Sequence, residues 1–196
     1  MAADKGRYII DKPGRKFPDE LSADMREVYN QLIMPPKGVI HLDDVILSDE
    51  NRRKLQQFVT ELQHADQLRR HGLEPMSRIL SYGASGTGKT LSAKALAYDL
   101  DYTMLMVDIS QALAQGRAAD SIAKVFKLAN ELKYCLIFFD EVDAIAWNRD
   151  ATVADTGDIR RATNSLFQYM DQMDDTNLFI ACTNMLPRLD AAFERR

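Results

Sequence analysis

Apolar positions along this chain recur with a helical period in some stretches and run unbroken in others, and from the middle of the chain onward the two alternate. The first helical pattern covers Asp19 to Met34, where Leu21, Met25, Val28, Leu32 and Ile33 form one stripe. Pro35-Pro36-Lys37-Gly38 closes it, because proline lacks the amide a continuing helix needs. Val39 to Leu47 reads as an extended connector carrying Asp43 and Asp44. Ser48 or Asp49 then caps a helix striped by Leu55, Phe58, Val59, Leu62 and Ala65; Gly72 ends it and Pro75 prevents its resumption. Four short runs of strand length follow: Arg78 to Tyr82, Thr103 to Val107, Cys135 to Phe139, and Leu178 to Cys182. Helical patterns separate them. Leu91 to Leu100 sets Leu91, Ala95, Leu96 and Leu100 on one face; Asp120 to Leu132 carries Ile122, Val125, Phe126 and Ala129; Ile159 to Met173 turns Ile159, Leu166, Met170 and Met173 inward. The Cys135 to Phe139 run contains no charged position, the mark of a strand buried on both faces. This alternation predicts a three-layer α/β/α fold around a mostly parallel sheet. Residues 1–18 are polar, with Pro13, Gly14 and Pro18, and read as a loose arm in which Tyr8-Ile9-Ile10 is a candidate short strand. The chain therefore divides into an N-terminal arm and helix, 1–36, and an α/β domain, 37–196.

The first predicted strand runs into Gly83-Ala84-Ser85-Gly86-Thr87-Gly88-Lys89-Thr90. A glycine, four residues, then Gly-Lys-Thr is the P-loop pattern, and strand before and helix after are the context it needs. Glycines let the loop take positive φ and wrap closely around phosphate. The loop amides then point into one nest at a helix N-terminus, where partial positive charge favours anions. In such a loop Lys89 reaches the β- and γ-phosphates and the Thr90 hydroxyl ligates Mg²⁺.

The buried run ends in Asp140-Glu141, about fifty residues after the P-loop. In open parallel sheets ligands sit at the carboxyl ends of the strands. Asp140 is thus positioned to hold Mg²⁺ through its water shell, and Glu141 to orient and deprotonate an attacking water. The fourth strand ends in Thr183-Asn184, and the Asn184 amide can reach the γ-phosphate or that water. Arg195 and Arg196 follow. Such a pair invites comparison with an arginine finger, worth roughly 10³–10⁵ in rate.

Composition narrows the field. At 196 residues and 46% hydrophobic, the chain is one domain with an appendage and can bury a core. A formal net charge of −4 speaks against bulk nucleic-acid binding. Cys135 and Cys182 lie in apolar runs and read as reduced core thiols of a cytoplasmic protein. The start Met1-Ala2-Ala3-Asp4-Lys5 has no signal-peptide core, and no apolar run reaches membrane-spanning length. His41, His64 and His71 lack metal-ligand spacing and read as surface or cap residues. Asp101, Asp108 and Asp120 read as cap and turn residues, Met104, Met106, Met170 and Met173 as core, and Asp171, Asp174 and Asp175 as a loop cap. Trp147 and Arg149 admit either a subunit contact or a solvated loop.

From about Pro36 to Arg196 the chain resembles the classical AAA ATPase module. The Walker A resemblance lies in Gly83 to Thr90 and the Walker B resemblance in Leu136-Ile137-Phe138-Phe139-Asp140-Glu141, continued by Val142-Asp143-Ala144-Ile145-Ala146. Ala181-Cys182-Thr183-Asn184 resembles the sensor-1 strand end, and Leu189-Asp190-Ala191-Ala192-Phe193-Glu194-Arg195-Arg196 the end of the second region of homology. The resemblance implies ATP and Mg²⁺ as ligands and Mg-dependent ATP hydrolysis. It implies nucleotide contacts from Gly83 through Leu91, with Asp44-Val45 touching adenine through the backbone. Arg195 and Arg196 would act in trans, in a homo-oligomeric ring, most often a hexamer, that remodels a protein partner. The implied sheet has the P-loop strand at its centre. Two features depart from the pattern. The pore-loop positions are Ala114-Gln115-Gly116, without an aromatic grip for a threaded polypeptide. The chain also stops at Arg196, before the family's fifth strand and helical lid, which leaves the P-loop strand with an unpaired edge. Two rival readings are a nucleotide-gated assembly platform without threading and, further off, a DNA-acting loader. The absence of an Asn-Lys-x-Asp segment disfavours a GTPase, and Asp140-Glu141 together with Arg195-Arg196 disfavours a small-molecule kinase.

Overall fold

The computed structural model describes residues 12–32, 40–146 and 157–189, with 193 and 195. Its centre is the strand Cys135–Phe139, all five of whose side chains are fully buried. Side chains alternate across a strand, so Cys135, Ile137 and Phe139 enter one core while Leu136 and Phe138 enter another. That is how a run with no polar face becomes an interior strand. Burying each such side chain is worth about 1.5–3 kcal/mol.

The elements in chain order are α1 (Ala23–Leu32), α2 (Asp49–Gln63), α3 (Ala65–Arg70), β1 (Arg78–Tyr82), α4 (Lys89–Asp99), β2 (Thr103–Val107), α5 (Ile109–Ala114), α6 (Ala118–Leu132), β3 (Cys135–Phe139), α7 (Gly157–Asp171) and β4 (Leu178–Thr183). The strands form one parallel sheet in the order β1-β4-β3-β2. Ile137 is level with Leu105 on one side and with Phe179 on the other; Ile180 is level with Ile79. One face is covered by α1, α5, α6 and α7, where Phe126, Phe139 and Phe179 pack ring against ring at 5.3–6.2 Å. The other face is covered by α2 and α4 through Phe58, Val59, Leu62, Leu96 and Leu100. The three-layer α/β/α architecture expected from the alternation is the one observed.

Several details differ from the sequence expectations. β1 is half-exposed rather than buried, because it is the edge strand of the described sheet. The central position implied by the resemblance is therefore not seen among the described strands. The helix after Ser48 is two helices: His64 takes φ −108°, ψ 19° and breaks the run. The Ser48 hydroxyl does cap it, accepting from Asn51 N at 3.3 Å. The connector before it is not extended throughout, since Leu42–Asp44 forms a 3₁₀ turn. Leu91 lies outside the inward stripe of α4 and is 41% exposed, whereas Ala95, Leu96 and Leu100 are fully buried. The short helix α5 was not anticipated.

The N-terminal segment is built onto the domain. α1 begins at Ala23, after a 3₁₀ turn at Pro18–Glu20 whose Glu20 carboxylate accepts from Phe17 N at 2.6 Å. Leu21, Met25, Val28, Tyr29 and Leu32 join the core under α6 and β2. Ahead of it, Lys16 N donates to Leu132 O at 2.9 Å, and Lys12 and Arg15 both reach Asp101 at 3.0 and 2.8 Å. The candidate strand Tyr8-Ile9-Ile10 and the stop signal Pro35 to Gly38 lie outside the described residues.

Candidate active site

The carboxyl ends of β1, β3 and β4 open on one place, and each contributes a segment to it. β1 turns into the P-loop, where Gly86 and Gly88 hold φ +80° and +86°. Gly88 is the N-cap of α4 in left-handed geometry, so a side chain at either glycine would be strained. The Thr87 hydroxyl donates to Ala84 O at 2.9 Å and tightens the turn. Lys89 Nζ donates to Gly83 O at 2.8 Å, Ala84 O at 2.9 Å and Asn184 Oδ1 at 2.7 Å. The Thr90 hydroxyl lies 3.3 Å from Asp140 Oδ2.

β3 delivers Asp140 and then bends sharply. Glu141 is left-handed, at φ 51° and ψ 45°, and caps a 3₁₀ turn over Val142–Ala144. Its amide donates to Asp140 Oδ1 at 3.1 Å, and the Glu141 side chain is exposed. β4 delivers Thr183 and Asn184. The buried Thr183 hydroxyl donates to Asp143 Oδ1 at 2.6 Å and accepts from Met185 N at 2.9 Å. Directly behind, burial pushes the Cys182 thiol up to about 12, and the Asp140 carboxylate adds to the effect.

The segment His41 to Val45 is anchored by α4. Asp99, at the end of α4, is 2% exposed. Its Oδ2 accepts from Leu42 N at 2.8 Å and its Oδ1 lies 2.6 Å from His41 Nδ1. Asp44 Oδ2 accepts from His41 N at 3.0 Å, and Val45 is buried against α4. His41 is a cap, as expected, but its ring is a partly buried partner of Asp99 and not a surface group.

This set fits a magnesium-bound triphosphate. Two hard oxygens, Thr90 Oγ1 and Asp140 Oδ2, converge beside the P-loop. No group of three or more His, Cys, Asp or Glu side chains placed to hold a metal ion by themselves stands among the described residues. Mg²⁺ suits such a place, because it keeps several waters and needs only one or two protein ligands beside phosphate.

Comparison with known proteins agrees with this geometry. Residues 79–196, more than half of the chain, match the family model "ATPase family associated with various cellular activities (AAA)". The chain belongs to the AAA family of ATPases. An uncharacterized AAA family ATPase of Sinorhizobium fredii is 38% identical over 156 residues, 79% of this chain and 47% of that protein. Proteasome-activating nucleotidase 2 of Haloferax volcanii is 33% identical over 159 residues, 78% of this chain and 39% of that protein. The ATP-dependent zinc metalloprotease FtsH of Lancefieldella parvula is 32% identical over 160 residues, 80% of this chain and 25% of that protein. The chain thus spans less than half the length of these AAA relatives.

The AAA-type site residues are not all equally gathered. Lys89, Thr90, Asp140 and Asn184 are bonded to one another or to the P-loop. Leu91 sits at the exposed edge of α4. Arg195 is exposed, near Phe193, which packs on Phe167 and Phe179. Arg196, Trp147 and Arg149 lie outside the described residues. Ala114 ends α5, with Gln115 as its cap and Gly116 at φ +63°. Among the described residues no helix is long and apolar enough to cross a membrane. Sequence reasoning passed over Asp143 and Asp99; each sits in an ordinary-looking turn or helix end, and only its distant partner marks it out.

Proposed function

We propose that this chain is the nucleotide-hydrolysing domain of a Mg-dependent ATPase in which water attacks the γ-phosphate of ATP. The observation that carries the reading is the 3.3 Å approach of Thr90 Oγ1 to Asp140 Oδ2 across 50 residues of sequence. It joins a P-loop hydroxyl to a strand-end carboxylate, the two protein ligands such a metal needs. The amides of Gly83 to Thr90 bind the phosphates, and Lys89 neutralises their charge. Leu91 and the backbone of Asp44-Val45 border the nucleoside. Glu141 takes the proton of the attacking water, and Asn184, through the oxygen and amide of one side chain, orients Lys89 and the γ-phosphate. Thr90 and Asp140 would hold the magnesium ion, which would supply electrostatic stabilisation of charge developing on the phosphate. Arg195 and Arg196 would complete the site of a neighbouring subunit in a homo-oligomeric ring, a hexamer when the module is whole.

The relatives' names, a proteasome-activating nucleotidase and an ATP-dependent protease, support work on a protein partner. The buried free thiols Cys135 and Cys182 suit a reducing, cytoplasmic setting. A second reading is a nucleotide-gated platform that assembles without threading. It is favoured by Ala114-Gln115-Gly116, which offers no aromatic side chain to grip a polypeptide. The test of the main reading is fluorescent-ATP binding to the full-length protein with magnesium and with EDTA, followed by phosphate release. Magnesium-dependent binding with turnover is expected; absence of both sinks it. Turnover stimulated by a protein substrate favours remodelling, and assembly on ATP without stimulation favours the platform.

A further inference from the structure

Four polar or charged residues are buried among the described residues: Asp99, Thr163, Asn177 and Thr183. Three have structural partners. Asp99 holds the Leu42 amide and the His41 ring, Thr163 bonds the carbonyls of Ile145 and Ile159, and Asn177 accepts from Cys135 N. Thr183 differs because its bonds join three segments of the candidate site. Its carbonyl accepts from Gly83 N, the first residue of the P-loop, at 3.3 Å. Its hydroxyl donates to Asp143 Oδ1 at 2.6 Å and accepts from Met185 N at 2.9 Å. Its own peptide leads into Asn184, which receives Lys89 Nζ at 2.7 Å.

A threonine hydroxyl has one proton to give, and here it goes to Asp143. A length of 2.6 Å is in the range of about 2.5–2.7 Å for a hydroxyl donating to a carboxylate, the stronger class of hydrogen bond. Asp143 lies two residues beyond Glu141 in the same 3₁₀ turn. Glu141 keeps a left-handed backbone at φ 51°, which a residue other than glycine seldom holds unless its surroundings impose it. The Thr183–Asp143 bond ties that turn to β4 from the far side.

We propose that Thr183 is a positioning residue for hydrolysis: its hydroxyl, through Asp143, holds the Glu141 turn in register with Asn184 and the P-loop. This rests on the ATPase reading above. Glu141 and Asn184 lie in turns that follow different strands, β3 and β4, and both must face the same water and phosphate. The strut is the direct side-chain bond between their two turns. A misplacement of about 1 Å can cost roughly 10²-fold in rate, so loss of the strut acts on turnover while the P-loop still binds nucleotide.

The test uses the full-length protein and measures kcat, KM and fluorescent-ATP affinity. Thr183→Val and Asp143→Ala are each expected to lower kcat by about 10- to 100-fold, with KM and affinity within about threefold of wild type. Thr183→Ser keeps the donor and should retain kcat within about threefold. The double variant should be no slower than the slower single one, because both remove one bond. Wild-type kcat in Thr183→Val overturns the proposal. So does a Thr183→Ser as slow as Thr183→Val, a parallel loss of affinity, or fully additive losses in the double variant. Should Thr183→Val not fold, Asp143→Ala against Asp143→Asn carries the same contrast, since the amide oxygen still accepts. A wild-type protein that neither binds nor hydrolyses ATP overturns the ATPase reading and this proposal together; an active wild type beside an equally active Thr183→Val overturns this proposal alone.

Discussion

Lys89 meets three oxygens, from Gly83, Ala84 and Asn184, and this decides what its removal should do. Lys89→Ala leaves those oxygens facing incoming phosphate without a cation between. ATP affinity is expected to fall at least tenfold in a titration with fluorescent ATP, and an unchanged affinity would remove Lys89 from phosphate binding. Glu141 is exposed and hydrogen-bonds through its amide, so Glu141→Gln keeps the turn and loses only the base. Nucleotide binding should persist while turnover drops by about 10²–10⁴-fold; wild-type phosphate release in this variant would relieve Glu141 of its role. The thiols make a pH prediction. Burial raises Cys135 and Cys182 from the ordinary 9.0 to about 12. A raised thiol pKa means the folded state prefers the neutral form. The associated stability is whole below pH 9.0, where both states are protonated, and is lost as pH climbs from there towards 12. Denaturant midpoints should therefore fall above pH 9.0, and less steeply in a Cys135→Ala/Cys182→Ala variant; identical slopes would show that other groups govern the alkaline limb.

At the scale of elements, β2 and β3 have the bounds that their apolar runs predicted, and β1 likewise. The β3 run is legible because burial of both faces leaves no room for a polar position, whereas β1 carries Arg78 and Ser81 and is half-exposed. Helix ends were less legible. α1 starts at Ala23 and not at Asp19, because Pro18 and the Glu20 carboxylate hold a 3₁₀ turn there. α5 is six residues long, with Ile109 and Ala112 buried and Leu113 packed partly buried against the core, too short a run for a periodic signal, and is marked chiefly by Asp108 accepting from Gln111 N. Whether the first helix stands on the domain was beyond the sequence, since an amphipathic stripe does not name its partner. Leu21, 5% exposed within the core shared with α6 and β2, answers that. Leu21→Ala should lower stability by about 2–3 kcal/mol in urea unfolding monitored by far-UV circular dichroism. A loss under about 0.5 kcal/mol would mean that the segment does not unfold with the domain.

For the molecule as a whole, the order β1-β4-β3-β2 is what brings the site together. It sets β4 between the P-loop strand and the acid strand, so that Asn184 and Lys89, 95 residues apart, come to 2.7 Å. The proposed ring makes its own prediction: mixing full-length Arg195→Ala and Lys89→Ala subunits should restore partial ATPase activity, since some interfaces then pair an intact P-loop with an intact arginine. No rescue at any ratio counts against action in trans. Taken alone, the sequence determined the layer architecture, the strand runs, the P-loop and the Asp140-Glu141 pair, because each is encoded within a few residues by periodicity, glycine placement or the end of a buried run. Only the tertiary structure decided that β1 lies at the sheet edge, that His41 binds Asp99, and that Thr183 reaches Asp143. Those facts are pairings between residues 40 or more positions apart, and local patterning records which side chains want a partner but not which partner the chain will bring to them.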